Sequence, residues 1–269
     1  MSLLDIDNVS RVYAMGGLLS RRQVQAVDGV SFSLDAARPE IFTIIGESSS
    51  GKTTLARMIL GMVPPTGGSI RFQGGDITAV HTRAGRLRVM RQMQPIFQNP
   101  FEAFNPLKRV DRYLFTTAQR FTDQAPDQAA DRALRQVGLS LHEVRNRFPH
   151  ELSGGQLQRV AIARALIPAP ALIIADEPVS MVDASLRMSI VSLFRSLRDE
   201  LRVSIIYITH DLATAYAISD RIIIMRYGKV VEAGDARTVL DNPQHPYSIL
   251  LKSSVLSPDV PALEDSPHA

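Results

Sequence analysis

Gly46-Glu47-Ser48-Ser49-Ser50-Gly51-Lys52-Thr53-Thr54 decides how the rest of the chain is read. The stretch fits G-x-x-x-x-G-K-[S/T], a turn whose backbone N–H groups can cradle a polyphosphate. The apolar run Ile41-Phe42-Thr43-Ile44-Ile45 before it reads as a buried strand, and residues 54–60 behind it as a helix that stops at Gly61. Strand, turn and helix are the context such a loop needs, because the helix N-terminus adds partial positive charge facing a bound anion. Lys52 can then reach the β- and γ-phosphates, the Thr53 hydroxyl can ligate Mg²⁺, and Thr54 can bond the α-phosphate.

Working outward, polar groups recur at the ends of apolar runs. Residues 93–97 read as a strand that delivers Gln98, after which Asn99-Pro100 breaks the pattern. Residues 171–175 form a continuous apolar run, so a strand buried on both faces, and it ends in Asp176-Glu177. The carboxyl end of a buried strand is where an open α/β sheet places its ligand. An Asp there can hold Mg²⁺ through water, and a Glu can polarise an attacking water. Residues 203–208 are another strand, ending in Thr209, His210 and Asp211. Leu152-Ser153-Gly154-Gly155-Gln156 opens a second helix in the manner of an anion-binding terminus. One nucleotide has little use for two such termini in one chain unless they meet across an interface.

Composition narrows the chemistry. With 269 residues, 45% apolar, the chain can bury a core of one or two domains. The net charge of +3 is a small excess of 30 basic over 27 acidic residues, weak support for a nucleic-acid partner. No residue is Cys, which excludes disulfides, thiolate zinc sites, cysteine-bound iron–sulfur clusters and a cysteine nucleophile. The six His show no metal-ligand spacing. No apolar run approaches the roughly 18 residues that span a bilayer. Residues 1–5 lack the basic and apolar regions of a secretion signal. The expectation is a cytosolic chain docked on something else.

The remaining segments fill out an α/β plan. Residues 3–13 and 24–34 suggest two early strands, with Tyr13 ending the first as either a half-buried strand aromatic or an adenine-stacking ring. The loop between them holds Gly16-Gly17 and Arg21-Arg22. Arg83, Arg86, Arg88 and Arg91 read as the solvated face of a helix. From about 101 to 149 the composition turns helical: Pro126 near a helix start, Ala129, Ala133, Leu134 and Val137 as the buried stripe, Gly138 at the C′ position. After Ser180-Met181-Val182-Asp183, the residues Leu186, Ile190, Leu193, Phe194 and Leu197 mark an amphipathic helix. Residues 221–225 are a further strand. Residues 235–255 look helical with a break at Asn242-Pro243, and the last dozen, with Pro258, Pro261 and Pro267, loosely ordered.

Together these segments resemble the ATP-binding subunit of an ABC transporter over nearly the whole chain. Residues 46–54 match Walker A, Leu152 to Gln156 the signature loop, and 171–176 Walker B, with Glu177 as the catalytic carboxylate. Gln98 matches the Q-loop, Ser180 to Asp183 the D-loop and His210 the switch histidine, while Tyr13 falls where the family keeps its adenine-stacking aromatic. Phe97-Gln98-Asn99-Pro100-Phe101, Asn105-Pro106, Asn242-Pro243 and His245-Pro246-Tyr247 resemble the dipeptide, oligopeptide and nickel uptake branch. The resemblance implies a P-loop NTPase (RecA-like) α/β core with an N-terminal antiparallel β subdomain and an inserted α-helical subdomain. It divides the chain into a core of 1–98 and 156–234, a helical subdomain of 99–155, and an extension of 235–269.

It further implies a head-to-tail dimer with two ATP between the subunits. Lys52, Thr53, Gln98, Asp176, Glu177 and His210 would serve one ATP, with Mg²⁺ at Thr53, Gln98 and Asp176. Ser153, Gly154, Gly155, Gln156 and Asp183 would serve the ATP of the other subunit. The implied partners are two permease subunits, a second ATP-binding subunit and, indirectly, an extracytoplasmic solute-binding protein, with no nucleic acid. The implied place is the cytoplasmic face of the inner membrane. Soluble ABC-type ATPases of DNA maintenance or translation are the alternative. The former separate Walker A from the signature by a long coiled coil, which this chain lacks; the latter carry two cassettes, and this chain has one. One departure stands out: Ser49 occupies a position where the family usually has Gly.

Overall fold

The computed structural model describes residues 2–15, 22–80 and 82–256. The turn Gly16-Gly17, Arg21 and the proline-bearing tail lie outside the described residues. Two long strands, β1 (Ser2–Met15) and β2 (Arg22–Asp35), pair antiparallel with several register shifts. Tyr13 pairs with Val24 and lies two residues before the end of β1, so the first strand runs past the point where its apolar pattern fades. Next come β3 (Ile41–Ile45), α1 (Lys52–Ile59), β4 (Gly67–Phe72), β5 (Gly75–Asp76), α2 (Arg83–Gln92) and β6 (Met93–Ile96). A helical stretch follows: α3 (Val110–Phe121), α4 (Pro126–Gln136), α5 (Leu141–Val144) and α6 (Gly154–Leu166). The chain then returns through β7 (Leu172–Asp176), α7 (Ala184–Leu201), β8 (Ser204–Thr209), α8 (Leu212–Ile218) and β9 (Arg221–Arg226). It finishes with β10 (Lys229–Asp235), α9 (Ala236–Asp241) and α10 (Pro246–Leu256).

The strands form two sheets. One is antiparallel, in the order β2-β1-β4-β5; the other has the order β10-β9-β3-β8-β7-β6, parallel except for β10. The parallel strands carry apolar residues on both faces. Along β7 and β8, Ile173, Ala175, Ile205 and Tyr207 join the cluster packed by the helices, while Leu172, Ile174, Ile206 and Ile208 join the cluster under the antiparallel sheet. Side chains alternate across a strand, so an unbroken apolar run is what a sheet covered on both sides requires.

The helical stretch forms for local reasons. Pro126 occupies the first turn of α4, and Ala129, Ala130, Ala133 and Leu134 bury one face. Gly138 takes φ +75° and closes the helix: its N–H reaches Arg135 O at 3.1 Å, and Leu139 N–H reaches Leu134 O at 2.9 Å. These are the two crossed bonds of a Schellman cap. The buried apolar side chains of α3 to α6 belong to the same cluster as one face of the parallel sheet, with no break between them. α2 buries none of its residues, as its arginine face predicts.

The amphipathic helix marked by Leu186, Ile190, Leu193, Phe194 and Leu197 is α7; its buried residues are Ile190, Val191, Phe194 and Leu197, and Leu186 at its start is 40% exposed. Leu186 instead sits over the signature loop: a Cβ on Gly155 would lie 2.9 Å from Leu186 Cδ1.

Candidate functional site

The parallel sheet sets β3, β8, β7 and β6 side by side, and each delivers polar residues at its carboxyl end. Register aligns these ends: Ile45 opposite Thr209, Asp176 opposite Ile208, Ile96 opposite Ala175. The loop after β3, Glu177 after β7, His210 after β8 and Gln98 beyond β6 therefore emerge on one rim. Gln98 is exposed there.

The loop after β3 is fixed by close backbone approaches. A Cβ on Gly46 would fall 2.3 Å from Met225 O, and one on Gly51 only 2.2 Å from Ala26 O, so neither position has room for a side chain. Gly51 also takes φ +102° as it opens α1. The turn between β9 and β10 clamps the loop from the side, because Gly228 N–H donates to Ser50 O at 3.0 Å and Asp28 N–H donates to Gly228 O at 2.9 Å. Ala26, Met225 and Gly228 thus shape the loop without any side-chain signature that a sequence motif would register.

Ser49 lies at φ +67°, in the left-handed region where a non-glycine residue costs about 1–2 kcal/mol. Ser49→Gly should leave nucleotide affinity unchanged or raise it a few-fold. It removes that strain, offset in part by the extra freedom of glycine in the unfolded chain. Titration of both proteins with a nucleotide decides it, and a clear loss of affinity would assign the hydroxyl a needed contact.

Lys52 is 6% exposed. Its Nζ donates to Gly46 O and Glu47 O, each at 2.7 Å, with Ser50 Oγ at 3.4 Å. Burial lowers its pKa, opposed by Glu177, Asp176 and Glu47. Thr53 Oγ1 donates to Asp176 Oδ1 at 3.5 Å. Burial, with the neighbouring Glu177 adding to it, raises the pKa of Asp176. The site therefore gathers a desolvated carboxylate, a hydroxyl and a desolvated ammonium within one corner.

Glu177 adopts φ +50°. Its N–H donates to Ile208 O at 2.9 Å, and its own carbonyl accepts from the Ser180 N–H and hydroxyl at 3.2 and 2.9 Å. Those bonds hold its side chain, 13% exposed, against His210: Glu177 Oε1 lies 2.8 Å from His210 Nδ1, and the imidazole is 62% exposed. Asp211 caps α8 through the N–H groups of Ala213 and Thr214 and pairs with Arg187 of α7 at 3.3 Å. The histidine turn is thus tied to α7, the helix that follows Asp183.

The second helix terminus lies elsewhere. Ser153 Oγ accepts from Gln156 N–H at 3.2 Å, and Gln156 Oε1 accepts from Ser153 N–H at 3.0 Å, a reciprocal capping box that opens α6. A Cβ on Gly154 would find Met181 O at 3.7 Å, so the signature turn rests beside the Ser180–Asp183 loop, in which Met181 and Asp183 are exposed and Val182 is buried. No contact joins Ser153 to Gln156 with residues 46–54 among the described hydrogen bonds. Tyr13 is half-buried under the guanidinium of Arg11, 4.6 Å from its ring centroid, on the hairpin whose Ala26 touches Gly51.

Comparison with known proteins places this arrangement. The family model described as "ABC transporter" matches residues 27–180. The oligopeptide transport ATP-binding protein AppF of Bacillus subtilis is 39% identical over 260 residues, covering 94% of this chain and 78% of that protein. The dipeptide transport ATP-binding protein DppF of Escherichia coli is 39% identical over 249 residues, covering 91% and 73%. Among solved structures, the dimeric post-hydrolysis state of the ATP-binding cassette MJ0796 bound to ADP and Pi superposes with a TM-score of 0.76. It is 26% identical and covers 87% of this chain and 99% of that one. The chain belongs to the ATP-binding, ATP-hydrolysing subunits of ABC transporters.

Proposed function

We propose that this subunit binds MgATP on residues 46–54 and hydrolyses it with Glu177 as the group that polarises water and His210 as its partner, so driving import of peptides or a similar small solute. The Glu177–His210 pair carries the reading. A carboxylate carried on a main chain fixed by three hydrogen bonds, 2.8 Å from an exposed imidazole and one residue past Asp176, is poised to orient a water rather than to stabilise the fold. Lys52 would neutralise the phosphates, and the loop N–H groups would bind them. Catalysis would be positioning and charge stabilisation around the transferred phosphoryl group.

The donor set suits magnesium. Among the described residues no group of three or more His, Asp or Glu side chains forms a cage, and a magnesium ion in nucleotide sites is usually held by one or two protein groups plus phosphate oxygens. Thr53, Gln98 and Asp176 would be those groups, and the ion would supply charge neutralisation of the phosphates. Asp176 is the group to benefit, since its carboxylate is desolvated.

Two such chains, identical or homologous, would face each other head to tail, each lending Ser153, Gly154, Gly155, Gln156 and Asp183 to the ATP of the other. The core (1–98 and 156–234), the helical subdomain (99–155) and the extension (235–269) would move as the working parts. Among the described residues no helix is long and apolar enough to cross a membrane, so the pathway itself would come from permease subunits at the cytoplasmic face of the membrane. Their dock would be the cavity of about 670 Å³ between α2, the Gln98 loop and α3, which mixes Met90, Phe97 and Phe121 with Arg112 and Arg120. The peptide reading draws on the names of the relatives.

Turnover per chain should rise with protein concentration, because bound nucleotide and mass action govern the pair. It should rise again when permease subunits are added. A flat profile from a demonstrated monomer would refute the two-chain site.

A further inference from the structure

Tyr247 enters the phosphate loop from the far end of the chain. Its hydroxyl accepts a hydrogen bond from the Glu47 backbone N–H at 2.9 Å, across 200 residues of sequence. The other end of that peptide unit is the Gly46 carbonyl, which accepts from Lys52 Nζ at 2.7 Å. One peptide plane therefore has the phenol on its donor side and the ammonium on its acceptor side, and rotating it disrupts both bonds.

We propose that Tyr247 is a positioning residue for Lys52: by pinning the Gly46–Glu47 peptide it sets where the amine waits, and it couples the seat of α10 to nucleotide affinity. The proposal rests on the assignment of residues 46–54 as the ATP-binding loop. The phenol is held for the task. Tyr247 is 1% exposed and packs in one cluster with Ile45, the last residue of β3, and Ala215 of α8. The Arg226 guanidinium lies 4.7 Å over its ring. The approach to α10 is anchored as well: the Glu232 carboxylate accepts from the N–H groups of Gln244 and His245 at 2.8 and 3.2 Å, and His245 Nδ1 accepts from Tyr247 N–H at 3.1 Å. Burial, and then the charge of Glu47, raise the phenol's pKa, so it stays neutral. A tyrosine kept only to fill the core would serve as well with its hydroxyl removed.

The test compares the full-length wild type, Tyr247→Phe and Lys52→Ala by titration with a fluorescent ATP analogue and Mg²⁺, alongside thermal midpoints. Tyr247→Phe should weaken binding about three- to tenfold, the loss of one net hydrogen bond. Its midpoint should stay within about 2 °C of wild type, and its turnover at saturating ATP should fall less than twofold. Binding as tight as wild type by Tyr247→Phe beside a weakened Lys52→Ala overturns the proposal alone. Loss of affinity, midpoint and saturated turnover together makes Tyr247 a packing residue and overturns it too. Binding by Lys52→Ala as tight as wild type overturns the loop assignment, and the proposal with it.

Discussion

Glu177→Gln should keep ATP binding and lower turnover by about 10²- to 10⁴-fold, the usual worth of a positioned base. Gln keeps the shape and the left-handed backbone that Glu177 already tolerates at φ +50°. The bonds from Glu177 N–H to Ile208 O and from Ser180 to the Glu177 carbonyl are made by the Glu177 main chain and survive the change. An amide can still meet His210 Nδ1, so the local fold should hold. What disappears is the negative acceptor that would polarise water. An ATP-bound pair of chains should therefore accumulate and be visible as a dimer by size-exclusion chromatography with ATP. Steady-state turnover within a few-fold of wild type would remove Glu177 from this role.

Gly154→Asp should abolish hydrolysis while leaving the monomer's affinity for ATP nearly intact. The position can accept a side chain. Its φ lies outside the left-handed region, and the nearest atom to an added Cβ is Met181 O at 3.7 Å, an ordinary contact. A carboxylate in the first turn of α6 even complements the helix dipole, by about 0.3–1 kcal/mol. The defect should come from the partner. A negative charge about 4 Å from a phosphate oxygen, at an effective dielectric near 20, opposes closure by about 4 kcal/mol, roughly a thousandfold. Unchanged melting, unchanged monomer binding and lost turnover form the expected pattern. Turnover that persists would place Ser153 to Gln156 outside the site of either chain.

Much of the fold and the site is legible in the sequence because local chemistry announces itself. Gly46, Gly51 and Lys52 sit where a phosphate loop must have them, and the strand ends carrying Asp176, Glu177 and His210 follow from apolar runs of the right length. The strain at Ser49 is readable from a missing glycine. What the sequence hides acts through the backbone or from afar. Ala26 and Met225 shape the loop with carbonyls, which every residue possesses. Tyr247 reaches Glu47 across 200 residues, and its place in His245-Pro246-Tyr247 marks a likeness without naming a partner. The exposure of Leu186 is not legible either, because a 3.6-residue period shows which side of a helix is apolar, not how far the covering neighbour extends.

The left-handed backbone at Glu177 has a consequence for anyone who improves this protein. Asn or Gly would sit there with less strain, a gain of roughly 1 kcal/mol. A library ranked by heat resistance would be steered towards replacing the carboxylate proposed to polarise water, and on that proposal its winners would be durable and inert. Selection on robustness and selection on work point in opposite directions at this one carboxylate. Any screen of variants at position 177 needs growth on imported nutrient as its readout, with melting temperature kept as a secondary score.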